Sequence, residues 1–179
     1  MQEELVMQAR KGDTESFWKL IDDKFTMLYR IARARLENEE DIGEAINEAT
    51  LKALKYIKKL KKPEYFQTWL IRILINECNK IYNKNKRHLK RIEKIEMSYD
   101  NEVYDYSLNN AESNMDFELL LNYLNYDERI IFVLYFYYEY DTTEIASILH
   151  ENVNTIKSRF KRGKEKIYKM SKGGVEYDK

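Results

Sequence analysis

Five side chains able to recognise an anion or a base edge, Lys157, Ser158, Arg159, Lys161 and Arg162, fall within one short stretch, KSRFKR. On a helix, Lys157, Ser158, Lys161 and Arg162 share one side, opposite Val153, Ile156 and Phe160. Long donors in that array suit a major groove, where Lys and Arg can reach guanine O6 and N7. The residues just before them fit a supporting helix. Asp141 and Glu144 have capping-box spacing, Ile145, Ala146, Ile148 and Leu149 form an inner face, and Ala146 is small enough for a close helix crossing. His150-Glu151-Asn152 is the turn, and Asn152 can cap the second helix. This is helix-turn-helix grammar, with His150 standing where a glycine would relax a left-handed backbone. The same periodicity also suits an amphipathic hairpin that binds nothing.

Other chemistries find little footing. A single cysteine, Cys78, allows no internal disulfide or multi-thiolate site, and it lies in an apolar helical stretch that suits a buried thiol. His150-Glu151 lacks the second histidine of a zinc-protease helix, His88 sits in a basic run that reads as exposed surface, and no glycine-rich phosphate loop is present. No catalytic set, metal site or cofactor is expected.

The elements that must carry these residues are helical. Five Gly and one Pro leave few of the turns that hairpins need, and apolar residues recur at helical spacing over residues 2–12, 14–36 and 41–59. Asp13 or Thr14 suits the second N-cap, and Asn38 with the acids 39–41 suits the third helix start. Ala45, Ile46, Ala49, Leu51, Ala53, Leu54 and Ile57 form the expected apolar side of the third. Pro63 marks a loop from Leu60 to Phe66, after which TWLIRILINECNKIY runs on into the basic NKNKRHLKRIEK. FELLLNYL and the aromatic DERIIFVLYFYYEY precede the helix-turn-helix.

Formal net charge is zero, but by cancellation: residues 1–95 hold 21 Lys+Arg against 15 Asp+Glu, residues 96–151 hold 1 against 13, and residues 152–179 hold 9 against 3. Two basic ends can bind a polyanion whatever the total, although each charged stretch also reads as a solvated helix face. The fold expected is all-α: a helical domain over 1–95, an acidic flexible linker over 96–113, a helix-turn-helix domain over 114–172 and a tail from 173 to 179. No apolar run is long enough to span a membrane and the N-terminus is too polar for a signal peptide, so a reducing, cytoplasmic setting is expected.

The segment YDTTEIASILHENVNTIKSRFKRGKEKI resembles region 4.2 of bacterial sigma factors, especially the small extracytoplasmic-function type, whose pattern runs Y-x-E-I-A-x-x-L-G-x-S-V-x-T-V-K-S-R. Glu144, Ile145, Ala146, Leu149, Val153, Thr155, Lys157, Ser158 and Arg159 match it, with Asn152 for the capping Ser and His150 for the Gly. Independently, EAINEATLKALKYIKKLKKPEYFQTWLIRILINECNKIYNKNKR resembles regions 2.2 to 2.4. There Glu44, Asn47, Glu48, Leu51, Lys52 and Ala53 fit one block, with Glu44 for Asp and Asn47 for Gln, and Phe66, Thr68, Trp69, Leu70, Arg72, Ile73 and Asn76 fit the next.

The resemblance implies an alternative sigma factor that directs core RNA polymerase to promoters through their -10 and -35 elements. It places the contact with the clamp helices of the largest polymerase subunit on Glu44, Asn47, Glu48 and Leu54, and the flap of the second subunit on the C-terminal domain. It places -10 recognition and melting on Leu60, Lys61, Lys62, Asn76 and Lys80, where a loop of cations beside aromatic surface can trap an unpaired base. Leu60 occupies a position often aromatic in relatives, and Trp69 reads as core. The -35 readers are Lys157, Ser158, Lys161 and Arg162, with Arg159 on phosphate. The resemblance further implies an anti-sigma partner, a monomeric free state, and a linker that either mimics a nucleic-acid strand near the polymerase active centre or is a solvated spacer. A stand-alone helix-turn-helix regulator and a polymerase-binding modulator are the competing readings; the FQTWLIRILIN block argues against the first and the 152–169 helix against the second.

Overall fold

Short polar caps and sparse glycine turn the apolar periodicity into eight helices among the described residues, 2–95 and 115–173 of a computed structural model. The chain divides into two compact units at Arg87 and His88. In the first lie α1 (Gln2–Lys11), α2 (Thr14–Arg33), α3 (Glu39–Tyr56) and most of α4 (Phe66–Ile95), with 3-10 turns at Ile57–Lys59 and Pro63–Tyr65. The second holds α5 (Met115–Leu121), α6 (Tyr126–Tyr138), α7 (Thr142–Leu149) and α8 (Val153–Gly173). No strand occurs among the described residues. The break falls inside α4, earlier than the compositional boundary at residue 95, and the expected acidic linker at 96–113 lies outside the described residues. So does the tail, except Gly173, which closes α8.

In the first unit, Gly12 at φ 106° turns the chain from α1 into α2, a conformation open to glycine at little cost. Asp13 caps α2 by accepting from the Glu15 and Ser16 amides. The Ser16 hydroxyl bridges Gln8 and Asp13 at 2.8 and 2.7 Å, so the cap also pins α1 to α2. Asn38 caps α3, as the sequence predicts. Phe17, Leu20, Leu28, Ile31, Ile42, Ala49, Ile57, Phe66, Leu70, Ile71 and Leu74 form the core. Leu51 departs from the expected apolar side: it is 57% exposed, because the phase of α3 puts it in line with the polar stripe of Glu44, Asn47 and Glu48.

Between α3 and α4 the core edge is charged. Glu77, only 5% exposed, takes hydrogen bonds from Lys52 of α3 and, at 2.9 Å, from Lys80 of its own helix. Burial pushes this carboxyl up, but the two ammonium groups outweigh it and hold the pKa below its ordinary value. A depressed carboxylate contributes stability that is complete above the unfolded value and lost as pH falls through the folded one.

In the second unit, Asn125 with Glu128 and Asp141 with Glu144 both close capping boxes, opening α6 and α7. Glu128, 1% exposed, also receives Lys166 of α8 at 2.6 Å, so the start of α6 holds the far part of α8. The α6–α8 crossing is tight at Gly163, where a Cβ would lie 2.5 Å from the buried Phe132 ring and 3.2 Å from Leu124. Phe132 in turn packs on Phe160, with ring centroids 4.9 Å apart.

Gly163→Ala is therefore expected to lower stability by about 1 to 2 kcal/mol, overpacking outweighing the gain in helix propensity. Urea unfolding followed by circular dichroism measures it, and an unchanged or raised midpoint would mean that Phe132 gives way freely. For the first unit the reporters are Trp18 and Trp69, the only tryptophans. Glu77→Gln should lower the midpoint of their fluorescence transition at about pH 7, with the deficit shrinking as pH falls below the ordinary carboxylate value of 4.5. A deficit independent of pH would show that the charge contributes nothing.

Candidate nucleic-acid interface

Two surfaces carry the residues singled out in the sequence. On the second unit, α7 ends at His150, whose φ of 55° and ψ of 41° confirm the left-handed turn expected there without its glycine. The Glu151 amide donates back to the Ala146 carbonyl at 3.0 Å, closing α7, and Asn152 caps α8 through the Asn154 amide at 2.8 Å. Ile156 is buried, with Val153 and Phe160 half-buried beside it, so the inner face is the expected one. Lys157, Ser158, Lys161 and Arg162 are all exposed on the opposite side. Ser158 donates to the Asn154 carbonyl at 2.8 Å and keeps its acceptor capacity. Lys161 stands 4.0 Å from Glu165, an exposed pair of small energetic weight.

Arg159, expected to lie on phosphate, is ion-paired within the second unit. Its guanidinium donates to Glu151 at 2.7 Å and lies 3.2 Å from Asp127 at the start of α6, which leaves the side chain 20% exposed.

On the first unit, Lys61 and Lys62 are exposed between the two 3-10 turns. Leu60 is 8% exposed, an apolar side chain drawn into the core edge, so it presents little surface at this loop. The exposed aromatic surface at this loop belongs to Tyr65, 54% exposed, and Tyr56. Lys62 stands 5.4 Å from the Tyr65 ring centroid, and Lys55 and Lys59 stand 5.4 and 5.0 Å from that of Tyr56. The sequence points to aromatic surface in KLKKPEYF without singling out either tyrosine. Asn76 and Lys80, one turn apart on α4, are both exposed, with Lys80 held by Glu77. Trp69 is half-buried against Phe66 instead of enclosed.

The stripe of Glu44, Asn47 and Glu48 lies exposed on α3, and Leu54 is half-buried one turn beyond the exposed Leu51. Glu48 pairs loosely with Lys52 at 3.8 Å. A polar stripe around one exposed leucine has the make-up of a separable protein interface.

Neither histidine nor the cysteine forms a reactive site. His88 is exposed, and Cys78 is buried with its thiol pushed up to about 12 by desolvation, which makes it a poor nucleophile. Among the described residues no group of three or more His, Cys, Asp or Glu could hold a metal ion, and no helix is long and apolar enough to cross a membrane.

Comparison with known proteins places the chain in a family. The family model for sigma-70 region 2 matches residues 20–88, and that for sigma-70, region 4 matches residues 114–167. The chain is 28% identical over 144 residues to RNA polymerase sigma factor SigV of Bacillus subtilis (strain 168), spanning 79% of this chain and 82% of that one. It is 24% identical over 175 residues to the ECF RNA polymerase sigma factor SigW of the same organism, spanning 92% and 94%. In fold it is similar to CnrH, solved in complex with the cytosolic domain of CnrY: the TM-score is 0.65 at 19% identity, over 96% of this chain and 97% of that one. The sigma factor RpoE, solved with the anti-sigma factor NepR from Bartonella quintana, gives a TM-score of 0.67 at 18% identity, over 91% and 99%. With region 2 on the first helical unit, region 4 on the second, and relatives aligned along most of their length, the chain belongs to the sigma-70 family of RNA polymerase sigma factors, in its extracytoplasmic-function branch.

Proposed function

We propose that this alternative sigma factor, which directs core RNA polymerase to promoters and initiates DNA-templated transcription, divides the reading of promoter DNA between its two units. The upstream -35 element is read by Lys157, Ser158, Lys161 and Arg162. The carrying observation is that these four donors are exposed together on α8 while the opposite face of that helix is held by Ile156, Phe160 and the Gly163 crossing. The -10 element is read and held open by the first unit: Lys61, Lys62 and Lys80 supply cations, Asn76 a bidentate amide, and Tyr65 the stacking surface that Leu60 does not offer.

Polymerase binding falls to Glu44, Asn47, Glu48 and Leu54, joined by Leu51, against the clamp helices of the largest subunit. The second unit takes the flap of the second subunit. The RNA chemistry stays with the polymerase, and the chain works in the cytoplasm, where core polymerase and promoters are. An anti-sigma factor is a further partner; that reading rests on similarity in fold to RpoE, solved in complex with the anti-sigma factor NepR.

The test is run-off transcription by sigma-free core polymerase with the purified chain and a pool of fragments from the source genome. Transcripts should start downstream of a shared two-block motif. Replacing Lys157 and Arg162 by Ala should abolish selection of the upstream block, each lost base contact costing about 1 to 3 kcal/mol. Specific binding to bare DNA with no polymerase-dependent initiation would overturn the reading in favour of a stand-alone regulator. Tyr65→Ala should slow opening of duplex promoters about tenfold or more and leave initiation on a pre-opened bubble with the same -10 sequence less affected, since unstacking is then already complete. Equal effects on both templates would remove Tyr65 from the melting step.

A further inference from the structure

We propose that Arg159 is a positioning residue for promoter reading and makes no contact with DNA itself. This inference rests on the assignment of α8 as the -35 reader. Arg159 sits among the four exposed donors in sequence, yet its guanidinium reaches away from them. One nitrogen donates to Glu151 in the turn, and the other faces Asp127 in the first turn of α6. It thereby joins three elements: the turn, the recognition helix and the helix that supports it.

Each partner matters for the pose of α8. Glu151 directly follows His150, a left-handed non-glycine residue, and its amide closes α7. That strained turn is the joint between the two helices, and the Glu151 carboxylate is where Arg159 holds it. Asp127 precedes Glu128, the buried carboxylate that receives Lys166 farther along α8. Arg159 and Lys166 thus fasten α8 to the start of α6 at two points seven residues apart in sequence, which fixes the helix against rotation about its axis. A rotation of α8 would swing Lys157, Ser158, Lys161 and Arg162 off their base edges together.

The local charge argues the same way. Two carboxylates around one guanidinium leave a net negative site, which attracts no phosphate. A phosphate contact by Arg159 would have to compete with both carboxylates for its donors.

The test compares polymerase-bound chain on a promoter fragment found by run-off selection and on the same fragment with its upstream block scrambled, over a range of salt. Arg159→Ala and the isosteric Glu151→Gln should each reduce discrimination between the fragments about tenfold, and the double variant should do no worse than either alone. The slope of log affinity against log salt should stay that of the unaltered chain for both. Glu151→Gln is the sharper arm: it removes negative charge near DNA, so electrostatics alone would tighten binding, whereas loss of positioning weakens it. The inference is overturned if Arg159→Ala lowers the slope by about 0.9, the signature of one phosphate contact, or if Glu151→Gln tightens binding to both fragments equally. If the unaltered chain itself fails to discriminate, the promoter assignment fails and this inference with it; discrimination by the unaltered chain with a reduced slope in Arg159→Ala overturns the inference alone.

Discussion

A missing side chain governs the second unit. Because Gly163 has no Cβ, the Phe132 ring can lie against the backbone of α8, and that contact sets how near α6 and α8 come. Around it the aromatic rings of Phe132, Tyr135, Phe136 and Phe160 cluster in tilted and edge-on contacts at centroid distances of 4.6 to 6.2 Å, with Tyr135 and Phe136 at the exposed rim. A helix is stiff, so fixing one face fixes the direction of every side chain on the other. The exposed donors on α8 are aimed by the packing of the opposite face together with the Arg159 and Lys166 pairs.

The first unit solves the same problem with charge. Its α4 presents Asn76 and Lys80 outward while Leu70, Ile71, Leu74 and Cys78 are buried within. Where the two faces meet, Glu77 is held between lysines from two helices, and Arg35 donates to Asn79 at 2.6 Å across a separation of 44 residues. Buried ion pairs add little net stability compared with apolar packing of the same volume, but a misplaced partner is strongly penalised, so such contacts fix which arrangement is adopted. The register of α4 against α3 follows from that penalty, and with it the relation between the exposed stripe of α3 and that of α4.

Much of this was legible in the residues. The helices, their caps at Asp13, Asn38, Asp141 and Asn152, the inner face of Ile156 and Phe160, and the left-handed turn at His150 follow from local spacing and local hydrogen bonding, which a sequence displays directly. The departures are all matters of tertiary depth. Leu51 and Leu60 are equally apolar, yet one is exposed and the other buried, because a few tens of degrees of helix phase and the path of a loop decide which meets the core. Arg159 reads like its cationic neighbours until Asp127 comes within 3.2 Å from another helix. Gly163 is silent in a basic run and acquires meaning only when Phe132 lies over it.

The exposed quartet on α8 also has a consequence for divergence. Lys157, Ser158, Lys161 and Arg162 contribute almost nothing to the core, so each can be exchanged for another polar residue at little cost in folding. Under the proposed -35 assignment, target preference can then drift one position at a time along an unchanged framework, and duplicated copies can come to address separate sets of genes without passing through an unfolded ancestor.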